Sequence, residues 1–253
     1  MSSASQDENI EKGKFPRSYR SLTGAVTELP AGDCSGFQSS LERDLLKLLD
    51  FFRFRNKVGA VPAWAPESCR CCSVVAFEDH PRISWIGSDN RAESYRVDAF
   101  ARFNGESFLR RCSTKQPWFI ETKYTAELTT DLGDLLPKFK AATREARKKE
   151  CFFHLLTERE IRTALLRNVG FLRPQLRIAF DEVISAELIR ILKRKGHASP
   201  LDLARAITPQ NACSSKFLPH VWKLVGAGRI LTNLYVPLSN NSRLFVSQEE
   251  AQG

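Results

Sequence analysis

Glu121, Thr122 and Lys123 form the triplet in this sequence with the clearest chemical potential. No other acidic residue in the chain stands two positions before a lysine. The triplet follows Trp118-Phe119-Ile120, an apolar run that reads as a strand, and a period of two puts Glu121 and Lys123 on one face of it. A carboxylate so placed can bind a hard divalent cation, and an ammonium beside it can orient water or stabilise charge developing on a phosphate. One strand earlier, Asp98 sits among apolar residues, where an unpaired carboxylate would be costly. Asp98 and Glu121 together could hold Mg2+, with Mn2+ as a substitute, and such an ion generates hydroxide and stabilises a leaving oxygen. The same residues also suit an ordinary Glu–Lys pair on a solvent-facing strand. Glu42 could supply a third carboxylate, but Ser39-Ser40-Leu41-Glu42 is also a capping box, and taken alone the residues favour the cap.

Other catalytic schemes lack their parts. The chain has no Gly-x4-Gly-Lys-Ser/Thr loop for a nucleotide and no Gly-x-Ser-x-Gly elbow. His80, His154, His197 and His220 are too scattered to suggest a triad, and His154, inside an apolar run, reads as a core histidine. Seven cysteines without regular spacing suit reduced thiols. Cys69-Arg70-Cys71-Cys72, with His80 nearby, could hold zinc but lacks paired Cys-x2-Cys elements.

The elements that must position these residues follow from periodicity. Leu41, Leu45, Leu48, Leu49 and Phe52 mark the apolar stripe of a helix that opens at Ser39. Residues 57–80, rich in Pro, Cys and Ser, read as loop. Strands are expected over Arg82–Ile86, Tyr95–Phe103 and Trp118–Tyr124, with Tyr95, Val97, Ala99, Ala101 and Phe103 on one face and Asp98 on the other. Leu132–Lys149 has Leu132, Leu135, Leu136, Phe139, Ala142 and Ala146 at helical spacing. Its opposite face carries Lys138, Lys140, Arg144, Arg147 and Lys148, which could track phosphates or simply be solvated. Cys151–Thr157 reads as a buried strand, and Glu158 to about Asn168 as a helix.

A break near Phe171-Leu172-Arg173-Pro174 separates a second unit. Asp181–Lys195 is an amphipathic helix stopped by Gly196, and Ser199 caps a short helix with Pro200 at its first position. Ser214–Val225 is a third helix, and Arg229–Val236 with Arg243–Val246 form a hairpin around Ser239–Ser242. Three helices and a hairpin in this order describe a winged helix. In it Lys216, His220 and Lys223 could face a DNA groove, with Asn240, Asn241 and Arg243 on the wing, although many winged helices bind proteins instead.

Composition sets the outer bounds. With 253 residues, 42% of them apolar and 26% charged, the chain suits one large or two smaller globular domains. No apolar run approaches the ~18 residues of a membrane span. The polar start MSSASQDENIEKG lacks a secretory core, so a cytoplasmic location and a disordered lead-in over residues 1–14 are expected. A net charge of +9 favours polyanionic partners, because Lys and Arg release counterions on binding phosphates.

The order of Ser39-Leu41-Glu42, Arg96-Val97-Asp98, Phe119-Ile120-Glu121-Thr122-Lys123 and Phe152-Phe153-His154-Leu155-Leu156-Thr157-Glu158 resembles TnsA, the endonuclease subunit of heteromeric transposases. The segment Phe15–Gly24 is similar to that family's lead-in, and the likeness covers most of the chain from about residue 15. The resemblance implies an α/β restriction-endonuclease-like domain with a mixed sheet over 15–173. An α+β winged-helix domain over 174–247 and a tail over 248–253 would follow. It further implies cutting of the 5′ ends of a transposon, while a DDE transposase subunit (TnsB-like) handles the 3′ ends and an AAA+ ATPase (TnsC-like) regulates both. Transposon-end DNA would be the substrate, and Glu42, Asp98, Glu121 and Lys123 match the catalytic set, which moves Glu42 from cap to site residue. The family position matched by Glu121 can be Gln; here it is an acid. A free-standing restriction or junction-resolving nuclease and a non-cutting winged-helix regulator are the alternatives.

Overall fold

The computed structural model describes residues 23–27, 34–56, 73–86, 91–107, 112–114, 116–179, 181–209, 213–247 and 250. The polar start 1–14, most of the Phe15–Gly24 lead-in, the Cys69–Cys72 cluster and all of the 248–253 tail except Glu250 lie outside these residues. Two units emerge, one holding the residues up to Asp50 and Val74–Ile161, the other Phe51–Ser73 and Arg162 onward. The protein is a mixed α/β fold.

In the first unit a short antiparallel pair, β1 (Gly24–Thr27) and β2 (Cys34–Phe37), precedes helix α1 (Ser40–Asn56), whose residues from Phe51 are assigned to the second unit. The Ser39 hydroxyl accepts the Glu42 N–H at 3.1 Å, which starts the helix as its capping sequence predicts. All five stripe residues are buried, and Leu46 and Phe51 on other sides of the helix are buried too. A helix apolar beyond one face belongs inside.

The next strands are β3 (Ser73–Asp79), β4 (Arg82–Ile86), β5 (Ala92–Arg96), β6 (Ala99–Ser107), β7 (Cys112–Thr114) and β8 (Trp118–Thr122). Helix α2 (Thr125–Lys148), strand β9 (Phe152–Leu156) and helix α3 (Glu158–Ile161) complete the unit. The main sheet runs β3-β6-β8-β9, with β7 on β6. It is mixed, because β6 and β8 pair antiparallel whereas β8 and β9, joined through α2, pair parallel.

Three expectations change. Residues 73–79, read as the end of a loop, are a strand: Ser73-Val74-Val75-Ala76-Phe77 has β propensity once the Pro- and Cys-rich stretch ends. The single strand expected over Tyr95–Phe103 is broken at Val97–Asp98, because β5 pairs with β4 in one sheet and β6 with β8 in another. Helix α2 starts at Thr125 rather than Leu132, and the Thr125 N–H is accepted by the Glu158 carboxylate at 2.9 Å, a contact 33 residues away in sequence. Its expected apolar stripe is buried only from Phe139 onward, leaving Leu132 and Leu136 exposed.

In the second unit α4 (Ala164–Gln175) runs through Pro174, so the expected break at 171–174 is helical. Helices α5 (Glu182–Lys195) and α6 (Pro200–Ile207) follow their local signals: Asp181 accepts the Ile184 N–H, Gly196 ends α5 at φ 72°, and Ser199 accepts the Asp202 N–H. A 3-10 turn (Ser214–Phe217) leads into α7 (Leu218–Ala227), ended by left-handed Gly228. Strands β10 (Ile230–Leu231) and β11 (Phe245–Val246) form an antiparallel ribbon shorter than the hairpin read from sequence. Leu188, Leu192, Leu203, Val221, Leu224 and Leu244 are buried here. No helix among the described residues is long and apolar enough to cross a membrane.

Candidate active site

Strand β8 is buried at all five positions, so Glu121 enters the protein with the strand that carries it and is 2% exposed. Lys123, one residue beyond β8, keeps the parallel register by donating its backbone N–H to the Leu156 carbonyl at 3.0 Å. Its Nζ lies 2.6 Å from Glu121 Oε1. Glu121 Oε2 is buried without a hydrogen bond of normal geometry, although the Tyr95 hydroxyl is near enough to lower the Glu121 pKa somewhat.

Asp98 arrives at the point where the chain leaves β5 for β6. The register that pairs Ala99 with Ile120 brings it to the end of β8. There its Oδ2 accepts the Thr122 N–H at 2.7 Å and the Thr122 hydroxyl at 2.5 Å. Glu42, from the first turn of α1, is also 2% exposed. Its Oε2 accepts the Gln38 N–H at 2.7 Å, while its Oε1 stands 2.8 Å from His80 Nε2. Glu42 thus serves the helix start and belongs to the acidic cluster at once.

The electrostatics bind these groups into one system. Burial, then the Glu121 and Glu42 carboxylates, push Asp98 up to about 8, against Lys123 and the Thr122 hydroxyl. Burial also raises Glu121, which Lys123 partly offsets. Lys123 is raised despite its own burial, because Glu121 and Asp98 favour the ammonium. Burial and Glu121 push Tyr95 above the phenol range. Burial pulls His80 down, but Asp79 and Glu42 outweigh it and bring it to about 10.

Three mutually repelling carboxylates, all oxygen donors, with Glu121 Oε2 and Glu42 Oε1 buried without a hydrogen bond of normal geometry, are chemically suited to a hard cation such as Mg2+ or Mn2+. Among the described residues no group of three or more His, Cys, Asp or Glu side chains is gathered closely enough to hold an ion as it stands. The three carboxylates would have to draw together, and Glu42 is held by Gln38 and His80.

Of the phosphate-tracking candidates on α2, Lys138, Arg144, Arg147 and Lys148 are exposed, and Lys148 pairs with Glu145 at 2.6 Å. In the second unit Lys216 and Arg243 are exposed, Arg243 over the Phe245 ring at 5.3 Å. Lys223 does not face solvent. It is 5% exposed and donates to the Ile178 carbonyl, with burial lowering its pKa. Lys223 lies on a helix buried over Val221–Ala227, so helical spacing alone could not tell its face from that of Lys216.

Sequence reasoning did not place His80, Tyr95 or Thr122 at this site, weighing His80 only beside the Cys69–Cys72 cluster and Tyr95 only as part of an apolar face. The available signal was Glu78-Asp79-His80-Pro81, a polar turn before proline between two strands, which places His80 at a strand end but not beside Glu42. A further cationic surface was also missed: Arg82, Arg102 and Lys149 line a cavity of about 460 Å³ with Phe100 and Phe119. His154, read as a core residue, stacks on Trp118 with ring centroids 3.8 Å apart.

Fold and site together define a mixed α/β protein with a buried acid–lysine cluster at the end of a central strand. No model of a known protein family matches the chain, and no curated protein matches it.

Proposed function

We propose that the protein is a metal-dependent DNA endonuclease, the subunit of a heteromeric transposase that cuts the 5′ ends of the transposon. The first unit would then be a restriction-endonuclease-like domain and the second a winged helix. The observation that carries the reading is the pair of buried Glu121 and half-buried Lys123, 2.6 Å apart, with Asp98 and Glu42 raising the local negative charge. A lone surface ion pair would need none of this burial. The exposed cations of α2 and the net charge of +9 support a polyanionic substrate.

Asp98, Glu121 and Glu42 would hold the divalent cation, which when bound supplies a hydroxide-like nucleophile and charge stabilisation at the phosphate. Lys123 would keep Glu121 ionised and place its ammonium where a phosphate oxygen gains charge. Thr122 fixes one Asp98 oxygen, and the other would meet the cation.

Nicking of a labelled duplex or supercoiled plasmid by the full chain tests the reading. Activity with Mg2+ or Mn2+, abolished by chelation, is expected; a pure, folded protein that cuts neither alone nor with its partners sinks it. Because Asp98 must lose a proton held up to about pH 8, Mg2+ affinity should rise by about tenfold per pH unit below that point and level off above it. The metal-free fold should show the opposite sign. Asp98 is protonated in the fold well above its ordinary 3.8, so its favourable contribution is complete below that value and lost as pH rises through about 8. Asp98→Asn should therefore be about 0.5–2 kcal/mol more stable than the parent at pH 8.5, little different at pH 4, and unresponsive to Mg2+. Melting curves across pH, with and without the ion, read all three.

The transposase setting makes a separate prediction. The isolated chain should cut poorly and gain activity when a DDE transposase subunit, an AAA+ ATPase regulator and transposon-end DNA are present. Robust cutting at a defined short sequence without partners would favour the free-standing nuclease instead.

A further inference from the structure

We propose that His80 is a positioning residue for the metal site, fixing Glu42 and the Asp98 backbone to one point; this rests on the nuclease reading above. Two acids from distant parts of the chain meet the same residue. The His80 side chain reaches α1, with Nε2 2.8 Å from Glu42 Oε1. Its backbone N–H is bonded to the Asp98 carbonyl at 3.2 Å, and the next backbone bond, Val97 N–H to Pro81 carbonyl at 3.2 Å, closes the other side of the turn. His80 therefore spans the gap between the helix that carries Glu42 and the sheet switch that carries Asp98.

A second carboxylate faces the other side of the imidazole. The ring Nδ1 lies 4.0 Å from Asp79 Oδ2, and that oxygen accepts the Gly36 N–H at 2.8 Å, just before α1. The side chain is 13% exposed against 2% for Glu42, so the contact is made away from bulk water. His80 also adopts φ 50°, a conformation uncommon for a residue with a side chain. Such a backbone persists only where its surroundings over-determine it, and the Glu42 and Asp98 contacts are part of those surroundings. Partners of this kind, one step behind the ligands, set where the ligands point, and their loss commonly lowers metal affinity by about 10–100-fold.

Three substitutions in the full chain separate positioning from mere structural support. His80→Asn tolerates positive φ but its amide is too short to reach Glu42. His80→Ala removes the side chain outright, and His80→Gln places an amide donor near the original Nε2. Calorimetric titration with Mn2+ alone, without DNA, should give a dissociation constant about 10–100-fold weaker for the Asn and Ala proteins, with His80→Gln restoring most of the affinity. Either of the first two variants that folds decides the matter. Unchanged Mn2+ affinity, with or without a lower melting temperature, overturns the positioning role while leaving the metal site standing. Equal loss in His80→Gln and His80→Ala also overturns it, because the donor would then not matter. If the parent protein binds no Mn2+ at all, the metal-site reading falls, and the role of His80 falls with it.

Discussion

Lys123→Ala and Asp98→Ala proteins that remain folded should each lose about 10²–10³-fold in the rate of strand cleavage, equivalent to ~3–4 kcal/mol at the transition state. The two share this loss for different reasons. Asp98 would bind the cation, whereas Lys123 meets Glu121 Oε1 at 2.6 Å and would face the phosphate. Their effects on metal-free stability should therefore differ in size. Removing Lys123 leaves Glu121, 2% exposed, without its partner ammonium. For a fully buried pair that costs about 3–5 kcal/mol; Lys123 is 23% exposed, so a smaller loss is expected. Removing Asp98 relieves repulsion from Glu121 and Glu42 but abandons two hydrogen bonds to Thr122, so little stability should be lost. Single-turnover nicking beside circular-dichroism melts reads both quantities. Full activity in both folded variants would remove these residues from the chemistry. Glu42→Ala should combine a rate loss with about 1 kcal/mol from the damaged helix start.

The largest structural effect should come from Asn168 in the second unit. Its side chain is 4% exposed, and Nδ2 donates to the Leu234 and Val236 carbonyls at 2.8 and 2.7 Å. Oδ1 accepts the Leu238 N–H at 3.1 Å. One amide thus satisfies three backbone groups of a segment without regular structure, a task that a sheet ladder would otherwise perform. Asn168→Ala should cost about 2–4 kcal/mol, since each buried group left unsatisfied costs about 1–3 kcal/mol and the outer ones can recruit water. Asn168→Asp should be worse at neutral pH, because it sets a carboxylate against two carbonyls. Urea unfolding of the full chain measures both, and a change below 0.5 kcal/mol for Asn168→Ala, within the usual range for surface substitutions, would show that the segment is held otherwise.

What was legible in the sequence depended on short range. Asp181, Ser199, Gly196 and Gly228 mark helix ends because a cap is a contact between residues three or four apart, or one backbone angle at a glycine. Glu121 and Lys123 share a face because a strand repeats every two residues, and the 2.6 Å pair follows from that period. Where two periodic patterns abut, the reading failed. Tyr95–Phe103 keeps one apolar face through Tyr95, Val97, Ala99, Ala101 and Phe103, yet the chain changes sheets at Asp98, and alternation carries no record of which strand lies alongside.

The sequence by itself determined the capped starts of α1, α5 and α6, the buried strand with its acid and lysine, and the basic balance that favours a polyanion, all properties of composition or of near neighbours. Only the tertiary structure decided that α2 begins at Thr125, where a carboxylate from α3 supplies the missing acceptor. It alone buried Lys223 against the Ile178 carbonyl and brought His80 to Glu42. The physical reason is common to these cases. Each depends on packing between segments tens of residues apart, and the free energy of such contacts is set by register and burial rather than by the residues on either side.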